Sequence, residues 1–139
     1  MKKSSLSLVI PSRSDELALV VDKVETFARE RGFGDKEIMY LNSSLYEALT
    51  NAIEHGNGSE ESKVVEIEAT WKDGGLHLRI KDEGAGFLVE DIEDPRYGGG
   101  IFGARGRGLL LMRKMMDCVT YNDRGNEVNL FLKRKESQR

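Results

Sequence analysis

The stretch "VEIEATWKDGGLHLRIKDEGAGF", Val65 to Phe87, repeats with a period of two on both sides of a turn. Val65, Ile67, Ala69 and Trp71 alternate with Glu66, Glu68 and Thr70. After "KDGG", which supplies turn chemistry, Leu76, Leu78 and Ile80 alternate with His77, Arg79 and Lys81. This is the pattern of a β-hairpin with one apolar face. Its parity carries on to Asp82, which falls on the side of Ile80. A carboxylate facing a core is costly unless hydrogen-bond donors satisfy it. Two readings stay open there. Either the strand stops at Lys81 and Asp82 begins the turn "DEGAGF", or Asp82 faces inward as the acceptor for a ligand's amino group. In the second case Gly84 and Gly86 let the backbone approach a flat ring.

Upstream of the hairpin the period is helical. Residues 5 to 10 read as a short strand that Pro11 ends, and Ser12 or Ser14 then caps a helix carrying Leu17, Val20, Val21, Val24, Phe27 and Ala28. Gly32 stops it. A second helix starts after Gly34, capped by Asp35, with Ile38, Leu41, Leu45, Leu49, Ala52 and Ile53 on its apolar face and "HGNG" as its close. Downstream of the hairpin comes an irregular Gly-rich segment near residues 98 to 108. "GLLLMRKMMD" then reads as a third long helix, and "VTYN" and "EVNLFLKR" as two strands around "DRGN". The fold class expected is α+β, a two-layer α/β sandwich: a mixed, mostly antiparallel sheet with helices on one face.

Global composition narrows the function. A chain of 139 residues suits one domain, spanning 1–139, with a core that needs no disulfide or metal staple. Lys and Arg number 21 against 24 Asp and Glu, net charge −3, so no basic footprint for a nucleic-acid backbone is present. Cys118 is the only cysteine, which excludes an internal disulfide, and there is no Cys/His cluster for zinc. The apolar run of "MKKSSLSLVIPSRSDELA" is too short for a signal-peptide core, and no window approaches the roughly 20 apolar residues of a membrane span. A soluble, reduced, cytoplasmic protein is expected, with a frayed, charged tail over 133–139.

Two further segments carry chemistry. In "EALTNAIEHGN", Glu47 to Asn57, the residues Glu47, Asn51 and His55 lie four apart and form one stripe at roughly 100° per residue, beside Ala48, Leu49, Ala52 and Ile53. Taken alone, Glu47 and Asn51 are the edge of an amphipathic helix. With a phosphate chain nearby, Asn51 offers an oxygen to Mg²⁺, which takes one or two protein ligands and keeps its waters. Glu47 then stands one turn away as a general base. His55 at the helix end reads as a dipole partner. "GGGIFGARGRGLLLM", Gly98 to Met112, opens a glycine-rich loop into a helix. Such a loop aims backbone N–H groups at an anion, so Gly106 and Gly108 would cradle phosphates, with Arg105 and Arg107 adding charge.

In this order the three segments resemble the boxes of the GHKL ATPase/kinase superfamily, the Bergerat nucleotide-binding fold. "EALTNAIEHGN" is similar to its N-box, "DEGAGF" to the first glycine box and "GARGRGLLLM" to the second. The "EAL-NA--HG" form and the short length look most like bacterial anti-sigma-factor serine/threonine kinases of partner-switching systems. The resemblance implies ATP and Mg²⁺ as cofactors. Asp82 would bind the adenine amino group, Asn51 the Mg²⁺, and Glu47 would be the catalytic base. Gly84 and Gly86 would line the adenine side, Gly106, Gly108 and Arg105 would meet the phosphates, and residues 88–105 would form the ATP lid. It also implies a STAS-type anti-anti-sigma protein as phosphoacceptor, a sigma factor as partner, and a homodimer. Where many relatives hold the nucleotide with a Thr, "RGNEVNL" offers Asn126. Two other classes remain: an ATPase or histidine-kinase-type catalytic domain, and a binding module switched by nucleotide.

Overall fold

The computed structural model describes residues 4–85 and 100–135, without the side chains of residues 100–106. The chain order is β1 (Ser5–Pro11), a 3-10 turn (Ser14–Glu16), α1 (Leu17–Glu30) and α2 (Asp35–Thr50), which a π turn (Asn51–Gly56) extends. The hairpin β2 (Val64–Lys72) and β3 (Gly75–Lys81) follows, then α3 (Gly100–Met115), β4 (Cys118–Tyr121) and β5 (Glu127–Lys133). The five strands form one sheet in the order β1-β2-β3-β5-β4.

Alternation sets the register. Asp73 and Gly74, with φ of 59° and 73°, turn the hairpin in the left-handed region that a two-residue loop needs. Ile67 then stands opposite Ile80 and Ile80 opposite Val128, while Ala69, Leu78 and Leu130 align one step further along. These side chains are buried, and so are Val20, Val24 and Ala28 of α1, Leu41, Leu45 and Leu49 of α2, and Leu109 and Met112 of α3. The core is the layer between the sheet and the helices, with α2 packed against both α1 and α3. On the other face Arg79 pairs with Glu127 at 2.8 Å. Among the described residues no helix is long and apolar enough to cross a membrane.

The two-layer α+β expectation holds, with differences in detail. Every strand pairing among the described residues is antiparallel rather than mixed, because the β4–β5 hairpin brings β5 back alongside β3 in the opposite sense. Neither Ser12 nor Ser14 caps α1, since a 3-10 turn intervenes and the Ser12 hydroxyl donates to the Lys63 carbonyl at 2.6 Å. The cap of α2 is Gly34 rather than Asp35: its N–H donates to the Glu37 carboxylate at 2.7 Å and its carbonyl accepts from Ile38. The tail is tied down as far as it is described. The Arg134 N–H donates to the Gly74 carbonyl and the Lys135 N–H to the Glu37 carboxylate; residues 136–139 lie outside the described residues.

The third helix departs most. It begins at Gly100 instead of Gly108, so residues 100–105 of the expected lid are helical; residues 86–99, Gly86 among them, lie outside the described residues. Glycine costs about 1 kcal/mol relative to alanine at a helical position. Ala104, Arg105 and Arg107 are good helix formers, and elongation from the turn already formed by "LLLM" is easier than nucleation, so the helix runs back through the glycines.

Candidate functional site

Asp82 lies one residue past the assigned end of β3, yet it keeps the parity of that strand. Its N–H donates to the Asn126 carbonyl at 2.9 Å, one further rung of the β3–β5 ladder beyond Lys81 and Glu127. The strand stops at Lys81, and the carboxylate still turns inward, only 7% exposed. Its Oδ1 accepts the Gly84 N–H at 2.8 Å.

Glycines make this burial possible. A side-chain carbon on Gly56 would fall on the Asp82 carboxylate, and one on Gly84 would fall on the Gly56 carbonyl. Only bare backbone fits on these two sides of Asp82. Its remaining surroundings form a narrow cleft shared with Ala48, Asn51, Ala52, Tyr121 and Asn126. The free volume is about 10 Å³, close to what one water needs. An acceptor at the floor and an amide at the side suit a ligand that bears an amino group.

The helix that brings Asn51 to this cleft changes pitch there. From Asn51 to Gly56 it widens into a π turn, closed by the Asn57 N–H donating to the Ala52 carbonyl at 2.9 Å. His55 lies inside this turn, half-buried.

Glu47 stands one regular turn before Asn51, half-buried. On one side it meets α3: a side-chain carbon on Gly108 would lie 2.7–2.8 Å from the Glu47 Cγ, Cδ and Oε1. On the other it borders a groove of about 420 Å³ lined by Val21, Asn42, Ser43, Tyr46 and Leu111. Burial raises its pKa above the ordinary carboxylate range, and the negative charge of Glu54 adds to the rise. A carboxylate poised in this way is a better proton acceptor than an exposed one.

The structure thus brings Asp82, Gly84 and Asn51 together and puts Glu47 on the same helix. Gly106 and Gly108 are placed otherwise than a phosphate loop requires. Both lie well inside α3, beyond its first turn, where their N–H groups belong to the helix's own ladder. The Arg105 side chain lies outside the described residues, and the Arg107 side chain is exposed. Asn126 contributes its carbonyl to Asp82, while its side chain accepts from the Asn122 amide at 2.7 Å. Among the described residues no group of three or more His, Cys, Asp or Glu side chains is arranged to hold a metal. The sequence reading missed Asn57, which is 1% exposed and bonded to Ser12, Val64 and Glu83. It had counted only as part of a helix close.

Residues 10–132 match the family model described as a histidine kinase-like ATPase domain. The chain is 27% identical over 139 residues to an anti-sigma F factor of Geobacillus stearothermophilus, covering 95% of this chain and 92% of that protein. It is 29% identical over 136 residues to one from Clostridium perfringens (strain SM101 / Type A), covering 96% of each. It is 33% identical over 105 residues to one from Geobacillus sp. (strain WCH70), covering 70% of this chain and 69% of that protein. In fold it is similar to the crystal structure of the RsbU and RsbW domains of a Mycobacterium tuberculosis protein, with a TM-score of 0.70 at 15% identity. That likeness covers 99% of this chain, which spans 34% of the larger one.

The contact between Gly108 and Glu47 is open to test. Gly108→Ala gains up to about 1 kcal/mol of helix propensity but has to displace the flexible end of the Glu47 side chain, so the net gain should be smaller. In a Glu47→Ala background the full gain should appear, since the atoms the new methyl strikes are gone. Urea unfolding of the four variants in this cycle reads the coupling, and equal effects in both backgrounds would show that the two residues do not touch.

Proposed function

We propose that this chain, which belongs to the histidine kinase-like ATPase domain family, is a partner-switching anti-sigma factor that phosphorylates a serine or threonine of a STAS-type anti-anti-sigma protein. The phosphoryl donor in this reading is Mg-ATP. The observation that carries it is the buried Asp82 carboxylate at the floor of a cleft shared with Asn51, with Glu47 one helical turn away. The anti-sigma F factor names of the relatives support the partner class. A sigma factor as second partner, a homodimer and a cytoplasmic location belong to the same reading.

Each residue has a role in it. Asp82 accepts a hydrogen bond from the exocyclic amine of adenine; guanine would bring a carbonyl oxygen to the same place and leave two acceptors opposed. Gly84 lets the Gly56 carbonyl pack beside Asp82, and Gly86 is assigned to the adenine side by the family resemblance alone. Asn51 would hold Mg²⁺ through its side-chain oxygen, and the ion would offset charge on the phosphates. Glu47 takes the proton from the attacking hydroxyl. For Gly106 and Gly108 to turn their N–H groups toward phosphates, the first half of α3 has to unwind. Glycines at 100, 103, 106 and 108 make that half the weakest part of the helix, at roughly 1 kcal/mol each. Arg105 then travels with the loop.

Purified protein incubated with Mg-ATP and its STAS partner should yield phosphoserine or phosphothreonine on that partner, and Glu47→Gln should slow the transfer by about 10²–10⁴-fold. An unlabelled partner would defeat the proposal, and phosphohistidine would favour the histidine-kinase class instead. The pH profile gives a second check. A base must be unprotonated, and the Glu47 pKa is raised, so the rate should rise with pH along a limb set above the ordinary glutamate range. Glu54→Gln removes one cause of the rise and should move that limb to lower pH; a limb that stays in place would separate Glu47 from the proton transfer.

A further inference from the structure

Asn57 joins three segments that lie far apart in sequence. Its Nδ2 donates to the Ser12 Oγ at 2.8 Å and to the Val64 carbonyl at 2.9 Å, and its Oδ1 accepts the Glu83 N–H at 2.7 Å. The surrounding groups close the network. The Ser12 hydroxyl donates to the Lys63 carbonyl at 2.6 Å, and the Glu83 carboxylate accepts the Val64 N–H at 2.6 Å. Val64 therefore gives its carbonyl to Asn57 and its N–H to Glu83, so the start of β2 holds both.

The location of this network is what gives it a use. Glu83 lies between Asp82 and Gly84, and Asn57 follows Gly56, whose carbonyl lies against Gly84. The Asp82 carboxylate is thus located from two directions. From β5, the Asn126 carbonyl holds the Asp82 N–H; from the end of the π turn, Asn57 holds the next N–H in the chain. Without the second bond the segment from Asp82 to Gly84 would lose its backbone anchor on the π-turn side, and only the Glu83 carboxylate on the Val64 N–H would hold it there. The Asp82 carboxylate could then shift relative to Asn51, which rides on the helix that Asn57 closes.

We infer that Asn57 is a positioning residue for base recognition: through the Glu83 backbone it sets the Asp82 carboxylate at the distance and angle that select a 6-amino purine over a 6-oxo purine. The inference rests on the reading of Asp82 as the adenine acceptor. Asn57 itself is buried among protein groups and does not need to touch the nucleotide. Its effect should appear in selectivity, because hydrogen bonds weaken steeply with misalignment while stacking and phosphate contacts tolerate small shifts.

The experiment compares dissociation constants for ATP and inosine 5′-triphosphate by calorimetry, with urea unfolding alongside. Wild type should prefer ATP. Asn57→Ala should reduce the ATP/ITP preference by about 10-fold, chiefly through weaker ATP binding. Asn57→Ser, which leaves a hydroxyl in the space, reads the same ratio where the alanine variant does not fold. Ser12→Ala removes a partner of Asn57 on the side away from Glu83, so it should lower stability and keep the wild-type ratio. A wild-type ratio in the Asn57 variants, or an equal loss in Ser12→Ala, overturns the positioning role. A wild-type protein that binds both nucleotides alike overturns the adenine reading beneath it.

Discussion

A carboxylate held inside the protein at the end of a strand is the constraint around which this structure is arranged. Asp82 follows the parity of Leu78 and Ile80 into the interior, and burial there has to be offset by hydrogen bonds. One comes from the Gly84 N–H, and the carboxylate is pressed against Gly56 at the end of the helix that carries Asn51. The sheet register places Asn126 to take the Asp82 N–H, and the π turn brings the Gly56 backbone within reach. Sheet and helix meet at this residue, so the position of one fixes the other.

Glu47 is governed by a different balance. It is half-buried between α3 and an open groove, close enough to α3 that Gly108 has no room for a side chain. Desolvation and the charge of Glu54 make its proton easier to keep, as the role of base proposed for it would need. The same contact ties the glycine-rich helix to Glu47. A helix that holds four glycines between residues 100 and 108 is weak in that half, and Glu47 stands against its inner end at Gly108.

Much of this was legible in the sequence wherever periodicity is strict. The alternation around "KDGG" located the hairpin, its turn and the inward parity of Asp82, and the apolar series of α2 located the helix face beside Glu47 and Asn51. Caps were less legible. Gly34 caps α2 through the Glu37 side chain, and Ser12 turns away from α1 to bond Lys63, because tertiary partners outcompete local propensity. The helical state of residues 100–108 was hidden by glycine content, which signals a loop even where neighbouring residues propagate a helix. The π turn has no signature in composition. Asn57 was missed for a related reason: a small polar residue after Gly reads as a turn, and only the fold shows that its amide is buried and bonded to three segments.

The central claim is that Asp82 is kept inside the protein in order to accept the amino group of adenine. Titration of Mg-ATP into the Asp82→Asn variant tests it most directly. The asparagine retains an oxygen for the Gly84 N–H, so the fold should persist by circular dichroism, yet it can present an amide donor where an acceptor is required. The account predicts that ATP binding is lost while the folded state remains. Wild-type ATP affinity in Asp82→Asn would contradict it.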